Sequence, residues 1–285
     1  MRHHRFATGV RIACVGLALA ALAVSCAQNR RSEAVTIKGS DTMVILGQRW
    51  AESYMKAHPG ATIQVTGGGS GTGIAALING TTDICQASRP MKDDEKAQAA
   101  QRNGQPPVET VVARDGLAIY VAESNPVQAL TLAQLKGIYT GAITNWREVG
   151  GPDAPIITYG RENNSGTYVF FKEHVLANAD FAAGVQTLPG TAAVVNAVAA
   201  DAKGIGYGGA AYAKGVRECA VKADEAGAPM LPSKENVLSG AYPLSRALFF
   251  YTAKAPAGTI GEFITYVLSP EGQSLASEVG YFPVQ

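Results

Sequence analysis

The chain has 285 residues, a formal net charge of +1 and 47% hydrophobic residues. This length allows one large domain or two smaller ones, each with a packed core. The near-neutral charge excludes a protein with a strongly basic face, so nucleic acid is not an expected partner.

Residues 1–25 have the organisation of an export signal. The segment MRHHRFATGVR is basic, and the apolar segment at 12–24 is too short to span a bilayer comfortably. Ser25 and Cys26 follow, and a small residue before cysteine resembles a bacterial lipoprotein signal. The resemblance implies lipidation of Cys26 and a lipidated tether at 26–34. Because Ala23 stands where such signals usually have leucine, an ordinary secretory signal or an uncleaved anchor is the alternative.

Strands alternate with helices in the first part of the chain. Strands are predicted at 35–39 (VTIKG), 61–66 (ATIQVT) and 81–88 (TTDICQAS), and helices at 42–58, 71–80 and 92–104. Ser40 or Asp41 suits the N-cap of the first helix, and Gly104 suits the end of the third. This alternation predicts a mainly parallel α/β sheet.

The second part begins with a long apolar extended segment at 108–126 (VETVVARDGLAIYVAESNP). Further strands are predicted at 155–160, 204–209 and 247–253, and helices at 131–141, 163–176 and 192–201. The tail at 261–280 predicts two helices separated at Pro270.

Three loops rich in glycine and hydroxyl groups each follow a predicted strand and precede a predicted helix: GSDT (39–42), GGGSGTG (67–73) and NNSGT (163–167). The first N–H groups of a helix have no partner inside it, and glycine lets a ligand approach the backbone. Since ligands of open α/β sheets bind at strand ends, the loops predict a site for a small oxyanion. Arg89 and Arg161 could supply charge to this site, with a surface charge or a structural ion pair as the alternative for each.

The sequence has no recognisable catalytic constellation. In GGSGT (68–72), Thr72 stands where a nucleophile elbow has its second glycine. His58 and His174 lie on predicted helices, away from the loops, and GxxxxGK[ST] is absent from the sequence. No CxxC motif or His/Cys cluster occurs, so we expect neither an enzyme nor a cofactor, and no metal site.

The segments GSDTM, QVTGGGSGTGIAALINGTTDICQASRPMK and GRENNSGTYVFF together resemble the phosphate-binding proteins of bacterial ABC importers, a PstS-like family. The later segments GIGYGGAAYA and FITYVLSPEGQ fit the same family, and the resemblance covers residues 35–285. It implies a two-lobed type II periplasmic-binding-protein fold. Each lobe would be a mainly parallel sheet flanked by helices, and crossing hinge strands would join the lobes. Lobe one is expected at 35–122 plus 243–285, and lobe two at 123–242.

The same resemblance implies high-affinity binding of inorganic phosphate between the lobes and delivery to ABC transporter permease subunits. The protein would be an exported, lipid-anchored monomer on the periplasmic or cell-surface face of the membrane. The implied phosphate-binding residues are Ser40, Asp41, Thr42, Met43, Ser70, Arg89, Arg161, Ser165, Gly166 and Thr167. A protein of the same fold for another oxyanion (sulfate, molybdate or tungstate), or a phosphate-sensing module, is the alternative.

Discrimination against sulfate needs an acceptor for the proton of hydrogen phosphate. Some family members have an aspartate after the third strand of lobe one for this purpose, whereas this chain has Ser88 and Arg89 there. Asp41 is our first candidate acceptor and Asp83 the second. A helix N-cap is the alternative role for Asp41. Cys85 and Cys219 are expected to be free thiols, because a disulfide between lobes would hinder their opening.

Overall fold

The computed structural model describes residues 34–284. The predicted signal peptide, the lipid site Cys26 and nearly all of the tether lie outside the described residues. Within residues 34–284, no helix combines the length and the apolar character needed to cross a membrane.

The described part of the chain is an alternation of strands and helices around one mixed sheet. The strands are β1 (Val35–Gly39), β2 (Ile63–Thr66), β3 (Ile84–Ala87), β4 (Val108–Val121), β5 (Ala129–Thr131), β6 (Ile157–Arg161), β7 (Gln186–Leu188), β8 (Gly204–Gly209), β9 (Arg217–Lys222) and β10 (Ser245–Thr252). The α-helices are α1 (Val44–Ala57), α2 (Ser70–Ile78), α3 (Asp93–Asn103), α4 (Leu132–Thr140), α5 (Gly166–His174), α6 (Gly190–Ala200), α7 (Lys234–Leu238), α8 (Gly258–Leu268) and α9 (Pro270–Val279).

The sheet consists of two parallel groups joined by long antiparallel strands. Its order is β2–β1–β3–β10–β4–β8–β6–β7, and β9 pairs with β4 and β5. Strand β1 is parallel to β2 and β3, and β6 is parallel to β7 and β8. The central strands β4 and β10 are antiparallel to each other and connect the two groups. In sheets of this kind, ligands bind at the carboxyl ends of the parallel strands. One group of parallel strands lies on each side of the central pair, so each group can contribute loops to a site.

Separate hydrophobic cores define two lobes. Lobe one packs around residues such as Ile37, Leu46 and Trp50, whereas lobe two packs around residues such as Leu135 and Phe171. The indole of Trp50 is fully buried and donates to the Gly272 carbonyl at 2.7 Å, so the C-terminal helix α9 is held to lobe one.

The central strands pass from one core to the other. On β4, Ala113 packs in lobe one and Leu117 packs in lobe two. Before and along β10 the order is reversed, with Leu244 in lobe two and Leu248 in lobe one. The change of core on β4 thus lies between Ala113 and Leu117, and the lobe boundary at residue 122 stays a prediction.

Local signals place most helix ends correctly. Gly104 follows α3 in a left-handed conformation with a φ of 75°, and Pro270 opens α9 behind the capping residue Ser269. The prediction of one continuous helix from Thr42 was wrong at its start. A 3-10 turn at Asp41–Met43 precedes α1, which begins at Val44.

The two described cysteines are buried in different lobes. Cys85 lies in a lobe-one cluster with Ile74 and Tyr251, and Cys219 lies in the core of lobe two. Neither is paired in a disulfide within the described residues. Burial raises the pKa of both thiols, so they are poor nucleophiles.

Glu218 on β9 makes stability depend on pH. Burial raises the pKa of its carboxyl from 4.5 to about 7, and the carboxylate of Asp115 adds to this shift. The folded protein therefore binds this proton more tightly than the unfolded chain, so stability falls as pH rises from 4.5 towards 7.

The substitution Glu218→Gln should remove this cost. We expect the variant to be more stable than the parent by about 1 kcal/mol at a pH above 7, after allowance for partial solvation, and to gain little below 4.5. Urea unfolding at both pH values measures the difference. Glu123→Gln, at an exposed position, is the matched control, and an equal gain for Glu218→Gln at both pH values would contradict the titration.

Candidate functional site

The three glycine and hydroxyl loops lie together between the lobes. The loop before α2 belongs to lobe one and the loop before α5 to lobe two. The N–H of Gly71 donates to the Asn164 carbonyl at 2.9 Å, and the Asn164 amide donates to the Gly68 carbonyl at 3.0 Å. Thr42 of the first loop and Thr167 of the third have hydroxyls 2.9 Å apart. These contacts hold the loops of the two lobes against each other.

Backbone conformation and close contacts explain the glycines of the second loop. Gly68 and Gly69 have φ values of 108° and 88°, which other residues rarely adopt. A Cβ atom on Gly69 would lie 2.7 Å from the Asn164 carbonyl oxygen, and one on Gly73 would lie 2.4 Å from the Lys38 carbonyl oxygen. Bare backbone here therefore serves the approach of lobe two and the packing of α2 against β1.

Buried hydroxyl groups line the point where the loops meet. Ser40 donates to the Ser88 hydroxyl at 2.9 Å, and the hydroxyls of Ser70 and Ser88 are 3.4 Å apart. Each of these three serines is at most 2% exposed, and Thr42 and Thr167 are equally buried. Hydroxyls can donate or accept by rotation, so the cluster can adapt to an oxygen-rich ligand.

The start of α5 completes this lining from lobe two. Ser165 is the N-cap, and its hydroxyl accepts from the N–H of Thr167 at 3.2 Å. A Cβ atom on Gly166 would lie 2.4 Å from the Ser70 hydroxyl oxygen and 2.7 Å from that of Ser88. Backbone of lobe two therefore touches hydroxyls of lobe one here. Met43 is also buried, but its N–H donates to the Ser40 carbonyl at 3.1 Å, within the 3-10 turn.

Arg161 is a buried cation at the end of β6. Its side chain is 1% exposed, and it donates to the Asp41 carboxylate at 2.6 Å and to the Thr191 hydroxyl at 2.9 Å. Its Nε has no hydrogen-bond partner among the described residues. Burial lowers the pKa of Arg161, and the carboxylate of Asp41 opposes that shift. A guanidinium remains charged in proteins, so this group places a fixed positive charge in the cleft.

Asp41 joins the lobes. One carboxylate oxygen accepts from Arg161 of lobe two, and the other accepts from the Gly68 N–H at 2.8 Å. Ser40 is the residue before the 3-10 turn, and its side chain makes no capping hydrogen bond. Asp83, our second candidate acceptor, has no structural support because it lies at the opposite end of β3 and accepts from Thr36 at 2.7 and 2.8 Å.

Arg89 forms an ion pair with the neighbouring residue Glu95. Its guanidinium forms a two-pronged pair with Glu95 at 2.7 Å for both bonds and also donates to the Pro90 carbonyl at 2.8 Å. Although burial raises the pKa of the Glu95 carboxyl, hydrogen bonds from Arg89 and from the Lys92 N–H hold it below its ordinary value. The structure therefore gives Arg89 the ion pair that sequence reasoning kept as its alternative.

Sequence reasoning missed a second buried ion pair at the base of the cleft. Arg246 donates to one carboxylate oxygen of Asp115 at 2.7 and 2.9 Å, and both side chains are almost fully buried. Burial raises the pKa of Asp115, and the guanidinium of Arg246 opposes that shift. A signal was present, since both residues are charged and lie in or beside apolar strand segments, and a buried charge needs a partner.

Comparison with known proteins identifies relatives over most of the chain. A family profile described as "PBP superfamily domain" matches residues 25–271. The phosphate-binding protein PstS of Pseudomonas aeruginosa is 36% identical over 263 residues, covering 86% of this chain and 81% of that protein. The PstS of Staphylococcus haemolyticus is 34% identical over 254 residues, covering 86% of this chain and 79% of that protein.

Solved structures agree. A candidate phosphate ABC transporter substrate-binding protein with bound phosphate, from Clostridium perfringens, has a TM-score of 0.80 and 32% identity, covering 89% of this chain and 100% of that one. An ABC-type phosphate transport receptor from Vibrio cholerae has a TM-score of 0.70 and 30% identity, covering 87% of this chain and 99% of that one. Because the profile covers most of the chain and the two PstS proteins are more than 30% identical to it, the chain belongs to the PBP superfamily and, within it, to the family of the PstS phosphate-binding proteins.

Proposed function

We propose that this chain binds inorganic phosphate between its two lobes and delivers it to a membrane ABC importer. The observation that carries the proposal is Arg161, a guanidinium only 1% exposed whose Nε has no partner among the described residues. It lies beside a cleft lined by buried hydroxyls from both lobes. Guanidinium and hydroxyl donors suit a tetrahedral oxyanion, and the relatives named for phosphate support that anion.

The positions of the side chains around the cleft indicate which groups would bind phosphate. The hydroxyls of Thr42 and Ser70 would donate from lobe one, and Arg161 with the start of α5 at Gly166 and Thr167 would donate from lobe two. Supporting groups are Ser40, whose hydroxyl orders Ser88, and Ser165, whose hydroxyl caps α5. We leave Arg89 and the N–H of Met43 out of this set, because both terminal nitrogens of Arg89 donate to Glu95 and the Met43 N–H donates to the Ser40 carbonyl.

Binding would depend on closure of the lobes. We propose that β4 and β10 form the hinge, with the crossing between Ala113 and Leu117 and between Leu244 and Leu248. The free receptor would be open, and phosphate would shift it to the closed arrangement. We also propose that it acts as a monomer, anchored by lipid at Cys26, on the periplasmic or cell-surface face of the membrane.

Calorimetric titration of the chain from Ala27, stripped of bound anion, tests this function with phosphate, sulfate and molybdate in turn. We expect tight binding of phosphate alone. Tight binding of sulfate or molybdate instead would retain the fold and change the cargo. Binding of none of the three would overturn transport and favour the sensing module.

Asp41→Asn tests how the site distinguishes phosphate from sulfate. The Asp41 carboxylate already accepts from Arg161 and the Gly68 N–H. We therefore expect the variant to lower the affinities for phosphate and sulfate alike by about tenfold, because Arg161 would lose the partner that holds its guanidinium in place. Competition calorimetry measures the ratio of the two affinities. A selective loss of phosphate would instead give Asp41 the acceptor role.

A further inference from the structure

We propose that Arg246 is a second arginine that contacts the bound anion, at the base of the cleft, and that Asp115 holds it in position. This inference rests on the proposed function. It adds a ligand group that comes from the strands joining the lobes, whereas the ligand groups already proposed come from the loops.

The pair is built into the central strands. Arg246 on β10 and Asp115 on β4 lie directly opposite each other in the antiparallel register. The Nε and Nη2 atoms of Arg246 both donate to the same oxygen of Asp115, at 2.9 and 2.7 Å. One edge of the guanidinium is thus bound by the carboxylate, which fixes the direction of the other edge.

The other edge faces the hydroxyls proposed to bind phosphate. Nη1 donates to the Thr167 hydroxyl at 3.1 Å, while the Nη2 contact to the Thr42 hydroxyl and the Nη1 contact to the Ser88 carbonyl are both 3.5 Å long. N–H···O bonds normally measure about 2.7–3.2 Å, so this buried edge has donor capacity that its present partners use poorly. An anion held by Thr42 and Thr167 would lie within reach of it.

The surroundings favour a direct electrostatic role. The guanidinium carbon lies 5.4 Å from the ring centroid of Phe170 on α5, and Arg246 is 6% exposed. A charge in so dry a place is screened little by solvent, so it acts strongly on an anion close to it. Because Arg246 contacts Thr42 of lobe one and Thr167 of lobe two, an anion bound to it would join both lobes to the hinge.

The test is phosphate titration of Arg246→Gln, Asp115→Asn and the double variant. Arg246→Gln alone leaves a buried carboxylate and risks unfolding, so the double variant, which removes both charges, is the decisive one. Circular dichroism and thermal melting verify its fold. Arg217→Gln is the matched control, since Arg217 donates to the backbone carbonyls of Asn125 and Val127 in lobe two, away from the cleft.

We expect the folded double variant to bind phosphate about 100-fold more weakly than the parent protein, and Arg217→Gln to bind normally. If Asp115 acts only through Arg246, Asp115→Asn should weaken binding about tenfold in the parent and not at all in the Arg246→Gln background. A folded double variant with the parent's affinity would overturn the inference. Failure of the parent protein itself to bind phosphate would overturn the proposed function instead.

Discussion

Arg161→Gln is expected to lower the affinity for phosphate by roughly 1,000-fold, which corresponds to about 4 kcal/mol. Arg161 is the buried cation that lobe two brings to the cleft, and a neutral amide can replace neither its charge nor its planar pair of donors. The folded protein should tolerate the change, because the partner Asp41 retains some solvent contact, with its side chain 20% exposed. Isothermal titration calorimetry gives the affinity directly.

Two further variants make this prediction specific. Arg161→Lys keeps the positive charge but loses the planar pair of N–H donors, so we expect an intermediate loss of phosphate affinity of about tenfold. Arg147→Gln removes an exposed lobe-two arginine paired with Asp153 and should leave the affinity unchanged. An affinity for Arg161→Gln within tenfold of the parent would show that the charge of Arg161 does not hold the anion.

Gly166→Ala is expected to prevent full closure of the cleft and to weaken phosphate binding by about 10- to 100-fold. The new methyl group would lie 2.4 Å from the Ser70 hydroxyl oxygen and 2.7 Å from that of Ser88, both on lobe one. Overpacking of this kind costs about 1–3 kcal/mol, which falls on the closed state because the clash is between lobes. Calorimetry together with small-angle scattering, with and without phosphate, measures affinity and compaction.

Gly184→Ala is the control for this substitution, since a Cβ atom at Gly184 meets no other atom within 4 Å. It should bind phosphate and compact like the parent protein. If Gly166→Ala also compacts normally and keeps its affinity, then the contact between α5 and the lobe-one serines is not part of the bound state.

The secondary structure was largely predictable because its signals are local. Glycine after α3 and the Ser-Pro pair at the start of α9 mark helix ends independently of the rest of the chain. Short strands escaped prediction for the same reason. Strands β5 and β7 have three residues each, too few to show a period, and β9 (RECAVK) has charged residues among its apolar ones.

The site was only partly predictable. The three loops are recognisable because glycine and hydroxyl residues between a strand and a helix have a local reason to be there. The choice of partner for each charge is different, because it depends on which side chains the fold brings within a few ångströms. Arg89 and Arg161 look alike in the sequence, yet one pairs with Glu95 beside it and the other crosses the cleft to Asp41.

By itself, the sequence determined the alternating α/β order and the family, since each depends on residue type and neighbouring position. The tertiary structure alone decided where β4 changes lobes, which hydroxyls meet, and that Arg246 and Asp115 stand opposite each other at the base of the cleft. These two residues are 131 positions apart in the chain, and only strand pairing across the sheet brings them into contact.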